Sequence, residues 1–289
     1  MTARFVTGIL SAGIAIVALA LSPSSVGAWG EKGHRLVGLV AKELLDKDAL
    51  NATKALMGSD DLAKFALFLD DHKAQLNKDI PGSRDWHFDD VPVCTAEPAE
   101  CPGGNCASRQ IRVHQRILAD THRGREERQF AVYVLTHLIG DIHQPLHAAD
   151  NNDVGGNEVF VSLPVPAGSS AEIRKLHGLW DTELVERQFS GRSEIDAAKK
   201  LVADHATKAE TEGWKKGKGN ASAWIAESHV IAVDKVYKTL PGFICDRDLE
   251  GDPIPIPQTY VDNGQKVIDE QIAKAGYRLA AVLSRLLRD

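Results

Sequence analysis

The segment LTHLIGDIHQPLHAADNNDVGGNEVFV, residues 135–161, sets three histidines and an aspartate among leucines and isoleucines. His137 and Asp141 stand four residues apart, and on a helix that spacing puts both side chains on one face. His143 and His147 are also four apart, with Pro145 between them. The His-x-x-x-Asp unit recurs in LHGLWDTEL as His177 and Asp181. Imidazole nitrogen and carboxylate oxygen both suit zinc. A single pair of this kind is weak evidence for metal. Two pairs beside apolar residues are much better evidence, because unpaired carboxylates are costly to bury. Upstream, His34 in WGEKGHRLVG, Asp70 or Asp71 at the end of an apolar face, and His87 in DWHFDD add further donors.

The chain opens with a short basic start at Arg4, an apolar run over residues 8–21 and small residues at Val26 and Ala28. This pattern reads as a secretory leader, residues 1–28, with cleavage after Ala28. The alternative, a retained membrane helix, is disfavoured because the run is short for a span. Processing exposes Trp29, whose free α-amine and carbonyl oxygen can chelate one ion. The formal net charge is −6, and loss of Arg4 makes the mature chain about −7. That argues against a basic nucleic-acid groove, but not against a site where bound cations supply the positive charge. Cys94, Cys101, Cys106 and Cys245 are even in number in an exported chain, which suggests two disulfides. Cys101 and Cys106 enclose the turn PGGN, leaving Cys94 for Cys245. A four-thiolate zinc site is the alternative.

Apolar spacing at helical period predicts helices over 31–46, 61–77, 108–120, 126–143, 172–189, 193–212, 220–238 and 262–287. The fourth should break before Pro145. EVFVSLPV, 158–165, predicts a strand or hairpin arm, and PGFICDRDLEGDPIPIPQTY a proline-rich crossing segment. No linker divides the mature chain. The fold class expected is mainly α: one helical bundle-like domain, 29–289, with a minor β-hairpin.

The motifs WGEKGH, DDHK, WHF, THLIGDIHQPLH and HGLWDT together resemble the zinc-dependent single-strand-specific nucleases and 3′-nucleotidases of the S1/P1 type. These are distantly similar to zinc-dependent phospholipases C. The resemblance covers essentially all of the mature chain and implies three zinc ions. One would be held by Asp70, His87, His137 and Asp141. The second would take the Trp29 amine and carbonyl, His34 and Asp141, so that Asp141 bridges the pair. The third would sit on His147, His177 and Asp181. Asp70 is selected over Asp71 because the family's aspartate stands three residues before a basic one, here Lys73. The family's nucleases usually carry arginine there; lysine keeps the charge but loses the bidentate fork, so activity is expected with altered orientation or pH response. The resemblance makes Phe88 and Asp90 the base-binding pair and Asn157 another cleft residue, and it agrees with the disulfide pairing above. His143 is expected to bond a ligand or pack below the site, and His72, His114, His122, His205 and His229 to be ordinary.

The implied activity is hydrolysis of single-stranded DNA and RNA to 5′-phosphate products, with 3′-nucleotidase activity, by an exported monomer, periplasmic or secreted and without a membrane anchor. Two alternatives remain. A phospholipase C or relaxed phosphodiesterase would use nearly the same metals, but those lipases generally carry glutamate where Asp181 stands. A non-catalytic exported zinc-binding protein would not need Phe88 and Asp90. One prediction follows from Trp29 alone. Protein that retains residues ahead of Trp29, verified by mass, should fold normally by circular dichroism. By elemental analysis it should hold one zinc fewer, and it should lose most phosphodiesterase activity.

Overall fold

The computed structural model describes residues 29–95, 101–166, 168–214, 219–245 and 251–287; the expected leader, 1–28, lies outside them. The first helix, α1 (Glu31–Leu44), buries Leu36, Val37, Val40 and Ala41 and stops where Leu45 turns extended. A helix not expected from periodicity follows, α2 (Lys47–Met57), of which only Ala49 and Thr53 are buried. Its apolar stripe is too thin to read, but its ends are signposted. Asp46 caps the Ala49 N–H at 2.8 Å, and Gly58 closes it at φ 76°, the left-handed turn glycine adopts without strain.

The run expected as one helix over 61–77 is three: α3 (Leu62–Phe65), α4 (Phe68–Asp71) and α5 (Lys73–Asp79). The break has a purpose that periodicity does not reveal, since the Ala66 carbonyl beside it bonds His137 rather than serving only its own helix. The chain then forms a short 3-10 turn, Ser83–His87. It continues through α6 (Ala107–Ala119) and α7 (Arg125–Asp141). Between residues 131 and 149 of α7 and the turn after it, only Tyr133 is not fully buried, so this stretch is the spine of the molecule.

The predicted hairpin is present and larger than expected. Strand β1 (Phe160–Leu163) pairs antiparallel with β2 (Glu172–Lys175), Phe160 opposite Lys175. The expected helix 172–189 therefore begins as a strand. It continues as α8 (Leu176–Gly178), a wide π-type turn over Leu179–Glu183, and α9 (Leu184–Gln188). α10 (Glu194–Thr211) and α11 (Ala221–Ile231) follow. A second strand partner comes from the proline-rich segment: β3 (Ile254–Pro255) lies parallel to β1. α12 (Gln258–Leu286) starts four residues earlier than periodicity suggests. The protein is mainly helical with a three-stranded sheet in the order β2-β1-β3. Cys94–Cys245 and Cys101–Cys106 are disulfides with Cα separations of 5.5 and 5.3 Å, so the four-thiolate zinc site is excluded. Among the described residues, no helix is long and apolar enough to cross a membrane.

α1 is clamped between α12 and α3. A Cβ on Gly276 of α12 would strike Val40, and one on Gly38 would lie 2.5 Å from the Leu62 carbonyl oxygen. Backbone meets backbone at Gly38, so no flexible side chain can yield. Gly38→Ala should therefore cost about 1–3 kcal/mol, the usual penalty for overpacking, despite alanine's better helix propensity. Chemical denaturation checks the stability; a gain on substitution would mean that α1 and α3 can separate freely.

Candidate metal centre and cleft

Three helices and one turn deliver the ionisable side chains to one wall. His34 comes from α1, Asp70 from α4, His87 from the Ser83–His87 turn, and His137 and Asp141 from the end of α7. Asp141 is fully buried, as are His34 and His137. Its Oδ2 lies 2.9 Å from His87 Nδ1 and 3.3 Å from His137 Nε2; its Oδ1 lies 3.2 Å from His34 Nε2. Asp70 reaches the same group, 3.8 Å from His137 Nε2 and 4.0 Å from His34 Nε2. Asp71 points to solvent. The rings of His34 and His137 stack at 4.0 Å.

A second group forms where the chain turns after α7. His147 Nε2 faces His177 Nε2 at 3.2 Å, and Asp181 Oδ2 lies 3.1 Å from His177 Nε2. Three of the imidazoles are fixed by backbone carbonyls. His137 Nδ1–H donates to Ala66 at 2.6 Å, His147 Nδ1–H to His87 at 2.7 Å, and His177 Nδ1–H to Gly155 at 2.7 Å. A carbonyl only accepts, so each bond places the proton on Nδ1 and leaves a lone pair on Nε2. Two Nε2 lone pairs at 3.2 Å cannot bond each other; a cation or an added proton must reconcile them. In the first group both ring nitrogens of His34, Oδ1 of Asp70 and Oδ1 of Asp141 are buried with no hydrogen-bond partner. Such atoms are costly to leave unsatisfied. Their types, nitrogen and carboxylate oxygen, fit a divalent metal such as zinc. Three triads have donor atoms within 4.8 Å of one another: His34/His137/Asp141, Asp70/His87/His137 and His147/His177/Asp181.

Comparison with known proteins gives a match to the S1/P1 nuclease family model over residues 29–288. The chain belongs to the S1/P1 nuclease family. It is 29% identical to Nuclease S1 of Aspergillus oryzae, across 93% of this chain and 95% of that protein. It is 28% identical to Nuclease P1 of Penicillium citrinum, across 87% and 95%. Endonuclease 2 of Arabidopsis thaliana is 25% identical, across 94% and 95%.

In this S1/P1-family chain, a cleft of about 560 Å³ opens beside the donor groups, with His87, His147 and His177 in its walls. Lys73, Phe88, Asp90 and Asn157 line it as well. The structure thus brings eight of the nine expected metal-site residues into two adjoining groups and the other four expected residues into the cleft beside them. Trp29, the ninth, is buried against the same wall. Its indole N–H donates to the Gly140 carbonyl at 2.8 Å, next to Asp141. The following residue, Gly30, donates its N–H to the Asp181 carbonyl at 2.8 Å. His143 packs below the site. Its Nδ1–H bonds the Ile139 carbonyl, and its Nε2 accepts from Arg278 at 2.9 Å.

Sequence reasoning missed Gln144. Its amide donates to Asp181 Oδ1 at 2.5 Å and its oxygen accepts from the Leu146 N–H, so it aims the carboxylate. A polar residue inside an otherwise buried turn was the available signal. Gly155 was also unremarked. It sits at φ 59°, and a Cβ there would lie 2.9 Å from the Leu146 carbonyl oxygen, so only glycine lets its own carbonyl reach His177. Arg84 and Lys175 complete the cleft.

The electrostatics follow from burial and pairing. Burial opposes charge on His137, but Asp141 and Asp70 outweigh it and raise the imidazole to about 9. Burial would likewise raise Asp141, yet His137, with His34 and His87 close by, holds it well below the usual carboxylate range. Burial and the neighbouring His177 push His147 down to about 4. Asp90 has a solvent-exposed surface but a desolvated setting, and that, with Asp150, Asp89 and Asp85 nearby, raises it to about 6. Chelated protein should report the first of these. A folded value for His137 above the unfolded ~6.5 stabilises the fold fully below pH ~6.5, and that contribution disappears as pH rises through about 9. Thermal melts of chelated protein should fall between pH 6.5 and 9, and metal-loaded protein should lose less over the same range. Identical pH dependence with and without metal would contradict the pairing.

Proposed function

We propose that this chain is a zinc-dependent endonuclease that hydrolyses single-stranded DNA and RNA to 5′-phosphate products and also acts as a 3′-nucleotidase. The observation that carries the reading is the set of buried, partnerless nitrogen and carboxylate donors beside an open cleft that contains Phe88. Membership of the S1/P1 nuclease family supports it, as do relatives named nucleases and endonucleases. Three ions are proposed. Asp70, His87, His137 and Asp141 hold the first; the Trp29 amine and carbonyl, His34 and Asp141 the second; His147, His177 and Asp181 the third. Zinc, when bound, supplies Lewis acidity toward phosphoryl oxygens and lowers the pKa of a water toward about 7.

The chain's own residues do the rest. Asp141 would contribute its one carboxylate to both of the first two sites. Lys73 brings a cation to the phosphate from the first turn of α5. Phe88 offers a ring face on which one unpaired base can stack, a contact that tolerates any base and that a duplex does not allow. Asp90, when ionised, accepts from base amino groups. Asn157 presents a buried amide oxygen with no hydrogen-bond partner and can accept likewise. The protein needs no nucleophilic side chain. Two disulfides are consistent with an exported, single-domain monomer over 29–289.

Zinc-replete protein should cleave single-stranded DNA, RNA and a 3′-nucleotide, leave 5′-phosphate ends, and contain about three zinc ions per chain. One ion or none in folded, unchelated protein overturns the reading. Hydrolysis of phosphatidylcholine in place of nucleic acid would favour the phospholipase alternative. Phe88→Ala should cut activity on single strands and 3′-nucleotides about tenfold to a hundredfold, the worth of one stacked base at roughly 1–3 kcal/mol. Its zinc content should stay unchanged, and hydrolysis of a small base-free phosphodiester should fall far less. Equal loss on both substrates would place Phe88 as packing for His87 instead.

A further inference from the structure

Two cations in the cleft have no role in the reading above. Arg84 lies in the Ser83–His87 turn, three residues before His87; Lys175 ends β2, two residues before His177. They enter the cleft on different elements, one beside each donor group. Both are exposed. Neither makes a hydrogen bond or ion pair with a described side chain, although Asp85, Asp90 and Glu158 line the same cleft. Elsewhere Lys32, Arg35, Lys42, Arg187 and Arg278 are paired with carboxylates. A guanidinium and an ammonium left unpaired in a phosphodiester cleft are placed for anions, the guanidinium in bidentate fashion.

We propose that Arg84 and Lys175 grip the phosphates that flank the scissile one, so that the cleft selects a strand over a single nucleotide. This rests on the nuclease reading. A 3′-nucleotide has one phosphate, which belongs at the metal donors. Only a polymer carries the neighbours that reach the two cations. They are positioning residues for the strand, outside the bond-breaking step. Their contribution is electrostatic, and each phosphate neutralised adds about 0.7 to the salt slope of single-strand binding.

The test compares wild type with the double variant Arg84→Ala/Lys175→Ala on two substrates, a single-stranded octathymidylate and a 3′-nucleotide. Binding of labelled octathymidylate is read by fluorescence anisotropy in chelator across a salt series, and KM and kcat are read separately in zinc. The double variant should bind the octamer about tenfold more weakly, and its salt slope should flatten by about 1.4. KM for the octamer should rise while kcat holds, and hydrolysis of the 3′-nucleotide should change by less than about twofold. Arg84→Lys/Lys175→Arg, which keeps both charges, should restore most of the binding. An unchanged salt slope, or equal loss on both substrates with zinc retained, overturns the proposal. If the double variant sheds zinc, the single variants Arg84→Gln and Lys175→Gln are read by the same criteria. Wild type that hydrolyses neither substrate overturns the nuclease reading itself; wild type active on both, with octamer binding and KM unchanged in the double variant, overturns only the strand grip.

Discussion

Asp141 is the constraint around which the protein is built. A carboxylate with no solvent exposure is tolerable only when positive charge or donors surround it. Here His34, His87 and His137 all approach within 3.3 Å, from three separate elements. Those elements must converge on one point, and much of the packing serves that convergence. α1 is pressed close enough to α3 and α12 that only glycine fits at Gly38 and Gly276. α7 is buried on nearly every side as it nears its end. Removing the carboxylate's partners singly would leave a buried charge, which is why the group stands or falls as a unit.

The same economy governs the imidazole rings. A histidine ring can swing about two bonds, and these rings are held. Each of His137, His147 and His177 is stopped by a carbonyl that lies where a regular element has ended or turned: Ala66 between α3 and α4, His87 at the end of its 3-10 turn, and Gly155 in a left-handed conformation. Irregular backbone is therefore the source of order in the site. Behind the turn after α7, side chains from α11 and α12 satisfy its remaining carbonyls. Ser228 bonds Ile142, Gln271 bonds His143 and His229 bonds Ala148. Arg278, itself held by Glu227, backs His143. The two donor groups are thus spaced by a turn whose polar atoms are tied down on the side away from the cleft.

An acidic chain that handles polyanions needs local exceptions to its overall charge. The cleft provides them in two ways. The clustered imidazoles and carboxylates suit bound cations, and Lys73, Arg84 and Lys175 add fixed positive charge at the walls. Asp90, held near 6 by desolvation and neighbouring acids, is a cleft carboxylate whose charge is sensitive to mild acid.

Most of the site was legible in the sequence. Helical spacing alone pairs His137 with Asp141 and His177 with Asp181, because i and i+4 share a face whatever surrounds the helix. Motif resemblance supplied His34, Asp70 and His87, and the cysteine pairing was readable from one short loop and the pair left over. Helices with a broad apolar stripe, such as α7 and α10, were likewise evident. α2 was not, since a helix that buries two residues leaves no periodic trace. Nor was the division of 61–77, because it answers to a hydrogen bond from His137, 71 residues away. Residues 172–175 became a strand because β1 offered an edge to pair with, an attraction that local propensity does not contain. Gln144, Gly155, Arg84 and Lys175 gained their meaning only from what the fold set beside them. Residue types and short spacings are properties of the chain and survive any folding. The aim of a ring, the end of a helix and the company of a charge depend on contacts between distant segments, and only the tertiary structure decides those.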